Sequence, residues 1–276
     1  MEKVKIFLRD LIRKSRTKNI LFKRNLLKSY LQIIVLDYIY SHPEYSNLIF
    51  YGGSCLSHCF GLPRLSEDLD FVDIKKRIDI LKLSKDIGEY FKKNTDLTLK
   101  TSTQKFRIYL KFPLLKELNL AKKDESDLLF LKIEIFSEFD FCSGYEIQIV
   151  PLMKFNKSIL IKTFDLPTLM STKLMAILYR KWEKTDKKGK TLIKVKGRDY
   201  FDLMWYFSKD IMPNFSCIKG IKTKEELKER LMETFENIDT RSIYLDLEQF
   251  MEDERFIKNL RKNIKQILIN NLKNKF

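Results

Sequence analysis

The sequence predicts an α+β protein, a β-rich half followed by an all-helical half. Three observations predict this. Apolar residues at helical spacing open the chain, alternating apolar and polar residues recur up to about residue 164, and from Pro167 onward only the helical period is found. The boundary falls near Asp165, giving two domains, 1–165 and 166–276. With 276 residues, 44% hydrophobic and 13% aromatic, the chain can bury the cores that two such domains need.

Residues 1 to about 40 read as helical. In "NLLKSYLQIIVLDYIYSH" apolar residues recur every three or four positions, and His42-Pro43 stops the pattern. "SNLIFYGG" reads as a short buried strand halted by glycines. "SCLSHCF" reads as a two-turn helix with Ser54 as N-cap, and Gly61-Leu62-Pro63 as its stop. "EDLDFVDI" alternates as a strand, with Leu69 and Phe71 inward and Asp68 and Asp70 on the other face. An amphipathic helix over 78–93 follows, then strands in "LTLKTS" and "KFRIYLKF". "LLFLKIEIFSE" is the strongest strand, with Leu131, Ile133 and Ile135 on one face and Lys132 and Glu134 on the other. "GYEIQIVPL" and "KSILIKTF" continue the β pattern. "PTLMSTKLMAILYRKWEK", "GRDYFDLMWYFSKD", "KTKEELKERLMETFENI" and "DERFIKNLRKNIKQILINNLK" are helical.

The net charge of +16 calls for a polyanionic partner such as nucleotide or nucleic acid. The first thirty residues hold ten basic and two acidic side chains, and residues 181–198 hold eight and two. No apolar secretory core and no run of membrane-spanning length is present, so a cytoplasmic protein without a membrane role is expected. Cys55, Cys59, Cys142 and Cys217 follow no framework spacing and read as reduced, buried thiols. Cys55, His58 and Cys59 lack a second ligand pair at metal spacing and read as core.

The chain has only 8 glycines, yet places Gly52 and Gly53 side by side between a strand and a helix. Glycine there lets backbone approach a ligand, and the N–H groups opening the helix form a nest for phosphate oxygens, to which Ser54 adds a hydroxyl. Asp68 and Asp70 follow, two apart on a strand and projecting together. Such a pair is unfavourable without a cation, and Mg²⁺ (or Mn²⁺) is held by one or two carboxylates plus substrate phosphates. Arg64 either contacts phosphate or pairs with Glu67.

"YGGSCLSHCFGLPRLSEDLDF" resembles the first motif of the nucleotidyltransferase superfamily, whose fold is polymerase-β-like. Within it, "LPRLSEDLDF" resembles the AbiEii/AbiGii abortive-infection toxins, the nucleotidyltransferases of type IV toxin–antitoxin pairs. "KLMAILYRKW" and "KGRDYFDLMWY" resemble that family's further motifs, and the resemblance runs from about residue 25 to 210. It implies an N-terminal mixed sheet with flanking helices, then a C-terminal helical bundle that completes the nucleotide site. A third carboxylate on a neighbouring strand is also implied: Glu134, with Glu138 and Asp140 as alternatives. A two-metal mechanism then has Asp68, Asp70 and Glu134 as ligands, attack on the α-phosphate of an NTP, and release of pyrophosphate.

In the helical half, Lys173, Ile177 and Arg180 share a face at i, i+4 and i+7. The resemblance makes Lys173 and Arg180 nucleotide ligands and turns Asp199 to the site; the alternative, from i+4 spacing, is that Arg198 pairs with Asp202 as a tether between helix and catalytic domain. The expected acceptor is RNA, such as a tRNA 3′ end, and an antitoxin partner is implied. The alternatives are a small-molecule transferase of aminoglycoside-modifying type, a protein nucleotidyltransferase, and an inert nucleic-acid- or antitoxin-binding module. Phosphorylation of Ser66, two residues before Asp68, would repel triphosphate.

Overall fold

The computed structural model describes every residue except 1, 141, 181, 182, 186–188 and 190. The chain forms two compact units. Met1–Phe139 and Gln148–Thr163 make the first, and Asp140–Ile147 and Phe164–Phe276 the second.

The helical N-terminus is two helices rather than one: α1 (Val4–Lys14) and α2 (Ile20–Ser41). The break has a local cause. Ser15 is extended, and the Asn19 side chain caps α2 by accepting from the backbone of Leu21 and Phe22. Then come β1 (Ile49–Tyr51), α3 (Gly52–Cys59), β2 (Asp68–Val72), α4 (Ile80–Asn94), β3 (Lys100–Gln104), β4 (Arg107–Pro113), β5 (Leu128–Phe136), β6 (Ile147–Lys154) and β7 (Lys157–Phe164). The strands form one mixed sheet in the order β3-β4-β5-β2-β1-β7-β6. β2 runs antiparallel to β1 and parallel to β5, and β1 is parallel to β7. The alternation read from sequence holds: Leu69, Phe71, Leu131 and Ile133 are fully buried on one face, which leaves Asp68, Asp70, Lys132 and Glu134 on the other.

The second unit contains α5 (Leu166–Tyr179), a hairpin of β8 (Lys184–Thr185) and β9 (Thr191–Ile193), α6 (Gly197–Ser208), α7 (Lys224–Glu236), α8 (Thr240–Leu247) and α9 (Glu254–Lys275). α6 packs on α5, α8 and α9, and α7 packs on α9. Phe201, Phe207, Phe235 and Phe250 fill the interior. Local caps fix the starts of α5, α7, α8 and α9; α7, for example, carries a capping box between Thr223 and Glu226. The hairpin and α8 have no counterpart in the sequence reading, because both are too short to show a period. Lys181, Lys187, Lys188 and Lys190 of the basic segment lie outside the described residues.

The reduced-thiol reading is corrected for one pair. Cys142 and Cys217 form a disulfide across 75 residues of sequence, while Cys55 and Cys59 are free. Residues 140–147 belong to the second unit, where the Asn214 amide donates to the Gly144 carbonyl at 2.6 Å. Folding makes these cysteines neighbours; their spacing could not. No helix among the described residues is long and apolar enough to cross a membrane.

Candidate active site

The first set of functional side chains is built where β1 turns directly into α3. The helix begins at Gly52 with Tyr51 in the cap position, so Ser54 lies inside it and is not the N-cap. The Ser54 hydroxyl donates instead to the backbone carbonyl of Asp68, tying α3 to β2. Gly52 has φ +79°, and a Cβ there would overlap the Asp70 carboxylate. A Cβ on Gly53 would lie 2.8 Å from Arg64 Nη2 and 2.9 Å from Ser66 Oγ. Gly52 is therefore required by its backbone and by what stands next to it, whereas a side chain at Gly53 would need Arg64 and Ser66 to shift. Gly52→Ala is expected to lower stability by about 1–3 kcal/mol through its positive φ and to push Asp70 out of place. Thermal melting, with Mn²⁺ binding in parallel, checks this.

Arg64 is buried, and its Nη1 donates to the Leu65 carbonyl at 2.8 Å. A short network holds this loop. Gln32 of α2 donates to the Ser66 carbonyl at 3.1 Å, and His58 Nε2 lies 2.9 Å from Gln32 Oε1. Ser66 is itself buried beside Gly53, which counts against its phosphorylation in the folded chain. Cys55 contacts the Thr163 hydroxyl in the same core.

His58 is held neutral. Burial, with Lys154 Nζ 3.3 Å from its Nδ1, lowers its pKa from 6.5 to about 3. The unfolded chain takes up this proton below pH 6.5 while the folded chain does not, so stability falls with pH over the window from 6.5 to 3. Relative to His58→Gln, the wild type should lose roughly 2 kcal/mol more between pH 6.5 and 5. Urea unfolding at the two pH values measures the difference.

The carboxylates meet on the polar face of two parallel strands. Asp68 stands opposite Lys132, and Asp70 opposite Glu134. Lys132 Nζ bridges Asp68 Oδ2 at 3.0 Å and Glu134 Oε1 at 3.3 Å, and Arg107 Nε of β4 reaches the same Glu134 oxygen at 2.6 Å. Burial and neighbouring Glu67 push the Asp68 carboxyl upward, and Lys132 offsets this only in part. Glu138 and Asp140, the alternatives for the third carboxylate, are exposed beyond the end of β5. Lys132 and Arg107 were not foreseen as site residues. Their signal lies in strand register, which the linear sequence does not carry.

In the second unit, α5 and α6 are joined by buried charges. Lys173 Nζ lies 3.0 Å from Asp199 Oδ1 and 2.8 Å from Asp202 Oδ2, and Arg180 Nη1 lies 3.2 Å from Asp199 Oδ2. Arg180 is the C-cap of α5 and extended, so the single-face helical reading stops short of it. Arg198 reaches α8: its backbone N–H donates to Asp246 at 3.0 Å, and its Nε lies 3.7 Å from the same carboxylate oxygen. Burial alone would raise the Asp199 carboxyl, but Lys173, Arg180 and Lys196 hold it well below the usual carboxylate range. Burial, together with Arg198 and other cations, brings Lys196 down to about 8. Lys196, which the sequence reading passed over, lines a cavity of about 50 Å³ with Arg180, Lys194, Asp199 and Tyr200.

The donors fit a hard divalent cation. Asp68 and Asp70 offer only oxygen, on adjacent positions of one strand face, and Gly52 gives Asp70 the space a Cβ would fill. Among the described residues no three His, Cys, Asp or Glu side chains are disposed to hold a metal ion. The fit is therefore to a two-carboxylate site in which water and phosphate oxygens complete the shell.

A mixed sheet with strand carboxylates beside a glycine-opened helix defines an α+β protein. The chain belongs to the nucleotidyl transferase AbiEii toxin family of type IV toxin–antitoxin systems, whose model matches residues 35–274. No curated protein matches the chain. Among solved structures, JHP933 from Helicobacter pylori matches with 19% identity and a TM-score of 0.45, covering 91% of this chain and 94% of its own. A second H. pylori crystal structure, described as a candidate nucleotidyltransferase, matches with 19% identity and a TM-score of 0.44, covering 90% and 96%.

Proposed function

We propose that this chain transfers a nucleoside monophosphate from an NTP to an RNA acceptor, such as a tRNA 3′ end, releasing pyrophosphate, and that it acts as a growth-blocking toxin with an antitoxin partner. The observation that carries the reading is the face shared by Asp68 and Asp70 on β2, beside the start of α3, in a chain of the AbiEii family. Mg²⁺ or Mn²⁺, when bound, would neutralise phosphate charge and lower the pKa of the attacking hydroxyl. Asp68 and Asp70 would hold it, with Glu134 beside them. The backbone N–H groups that open α3 are suited to phosphate oxygens, since they have no partner within the helix.

Within the second unit, Arg180 and Lys196 are the side chains best suited to phosphate charge, because both are basic and line the small cavity. Lys173 acts with Asp199 and Asp202 to hold α5 on α6. Support for RNA comes from charge: Lys14 and Lys18 are exposed, although Lys5 and Arg9 pair with Glu117 and Arg24 pairs with Glu125.

The test incubates the protein with each α-labelled NTP, Mg²⁺ and total RNA, beside an Asp68→Asn control. Label in RNA that the control lacks is the expected result. Label on protein or on a small molecule would replace the acceptor. No label under any condition would overturn the enzymatic reading in favour of a binding module.

A further inference from the structure

We propose that Lys132 is a built-in counter-ion that competes with the divalent cation for Asp68, so that the free ion binds weakly and enters together with the nucleotide's triphosphate. The inference rests on the metal-dependent reading above and concerns what this chain's own residues do before the ion arrives.

The geometry is specific. Parallel pairing of β2 with β5 puts Lys132 directly opposite Asp68, and the ammonium bonds Asp68 Oδ2 at 3.0 Å. That oxygen belongs to one of the two carboxylates available to a cation on β2. The same ammonium reaches Glu134 at 3.3 Å, and Arg107 holds Glu134 from β4 at 2.6 Å. The three side chains are partly withdrawn from water: Lys132 is 26%, Asp68 25% and Glu134 12% exposed, so repulsion between an ammonium and a second cation there is only partly screened.

An ammonium and a hard divalent ion both need the Asp68 oxygens. Binding of the ion is therefore opposed while Lys132 stays on Asp68 Oδ2, and is eased when Lys132 turns away, while Glu134 keeps Arg107. Free Mg²⁺ meets a like charge already in place, which weakens its binding. An ion carried on a triphosphate brings negative charge with it, and Lys132, once released, has phosphate oxygens to meet. Lys132 is thus a positioning residue whose effect is read in metal affinity.

The test measures Mn²⁺ binding to the metal-free protein by electron paramagnetic resonance, without nucleotide, and melting temperature with and without Mn²⁺. Lys132→Met and Lys132→Gln remove the charge at similar length, and Lys132→Arg keeps it. The expected result is that both neutral variants bind free Mn²⁺ at least about tenfold more tightly than wild type, as removal of one nearby partly screened charge implies. They should also melt lower without metal and gain more from Mn²⁺, while Lys132→Arg stays near wild type. If neutral variants that melt cooperatively bind Mn²⁺ no more tightly than wild type, the competition is overturned while the metal-dependent reading stands. If no form binds Mn²⁺, even with a non-hydrolysable NTP analogue, that reading falls and the inference falls with it.

Discussion

Asp68→Asn and Asp70→Asn are each expected to reduce nucleotidyl transfer by at least about 10³-fold, the scale of several kcal/mol that charge stabilisation by a bound cation supplies. Asparagine keeps the shape of the side chain and removes the charge that a hard cation selects. The fold should survive. Asp68 is a half-buried carboxylate pushed upward by burial and by Glu67, so its neutralisation relieves a desolvated charge, and Lys132 still has Glu134. Melting temperature therefore stays close to wild type while transfer is lost. A variant that keeps transfer within tenfold would remove the pair from the chemistry.

Lys173→Met is expected to act first on stability, lowering the free energy of unfolding by about 3–5 kcal/mol, the usual effect of breaking a buried ion pair from one side. Asp202 is fully buried and Asp199 nearly so, and both rely on this ammonium. Arg180 still reaches Asp199 when the ammonium is gone. The double variant Lys173→Met/Asp202→Asn should recover part of the loss, because it removes one of the two buried carboxylates that faced the lost ammonium. The pH dependence follows by sign. Asp199 is held below its unfolded value, so its contribution is complete above the ordinary carboxylate range and is lost as pH falls through and below that range. Lys173→Met should flatten that acid-side loss. Urea unfolding across pH 3 to 7 measures both effects.

Much of this was legible in the linear chain because it depends on local periodicity. Asp68 and Asp70 share a face since strand side chains alternate, and the Leu131–Ile135 pattern fixed which side of β5 would be polar. The surrounding cations were not legible. Lys132 and Arg107 join the carboxylates through pairing of β5 with β2 and of β4 with β5, and register between distant strands leaves no local mark. Ser54 shows the limit of local reasoning as well. Its type and position suit a cap, yet the helix starts two residues earlier because Gly52 can take a positive φ that lets the turn close at once on Asp70. Lys196 lies only two positions before Arg198, but its burial depends on how β9 leads into α6, a hairpin too short to announce itself.

The polypeptide enters its second unit twice, first as residues 140–147 and again at Phe164. A fragment beginning at 164 would thus be an incomplete body. Cys217 would lack its covalent mate, Asn214 would lose the Gly144 acceptor, and a free thiol would invite cross-linking between molecules. Limited proteolysis that nicks the chain near 163 should release the two pieces only after reduction, since the bridge from Cys142 keeps the earlier segment attached to the later one.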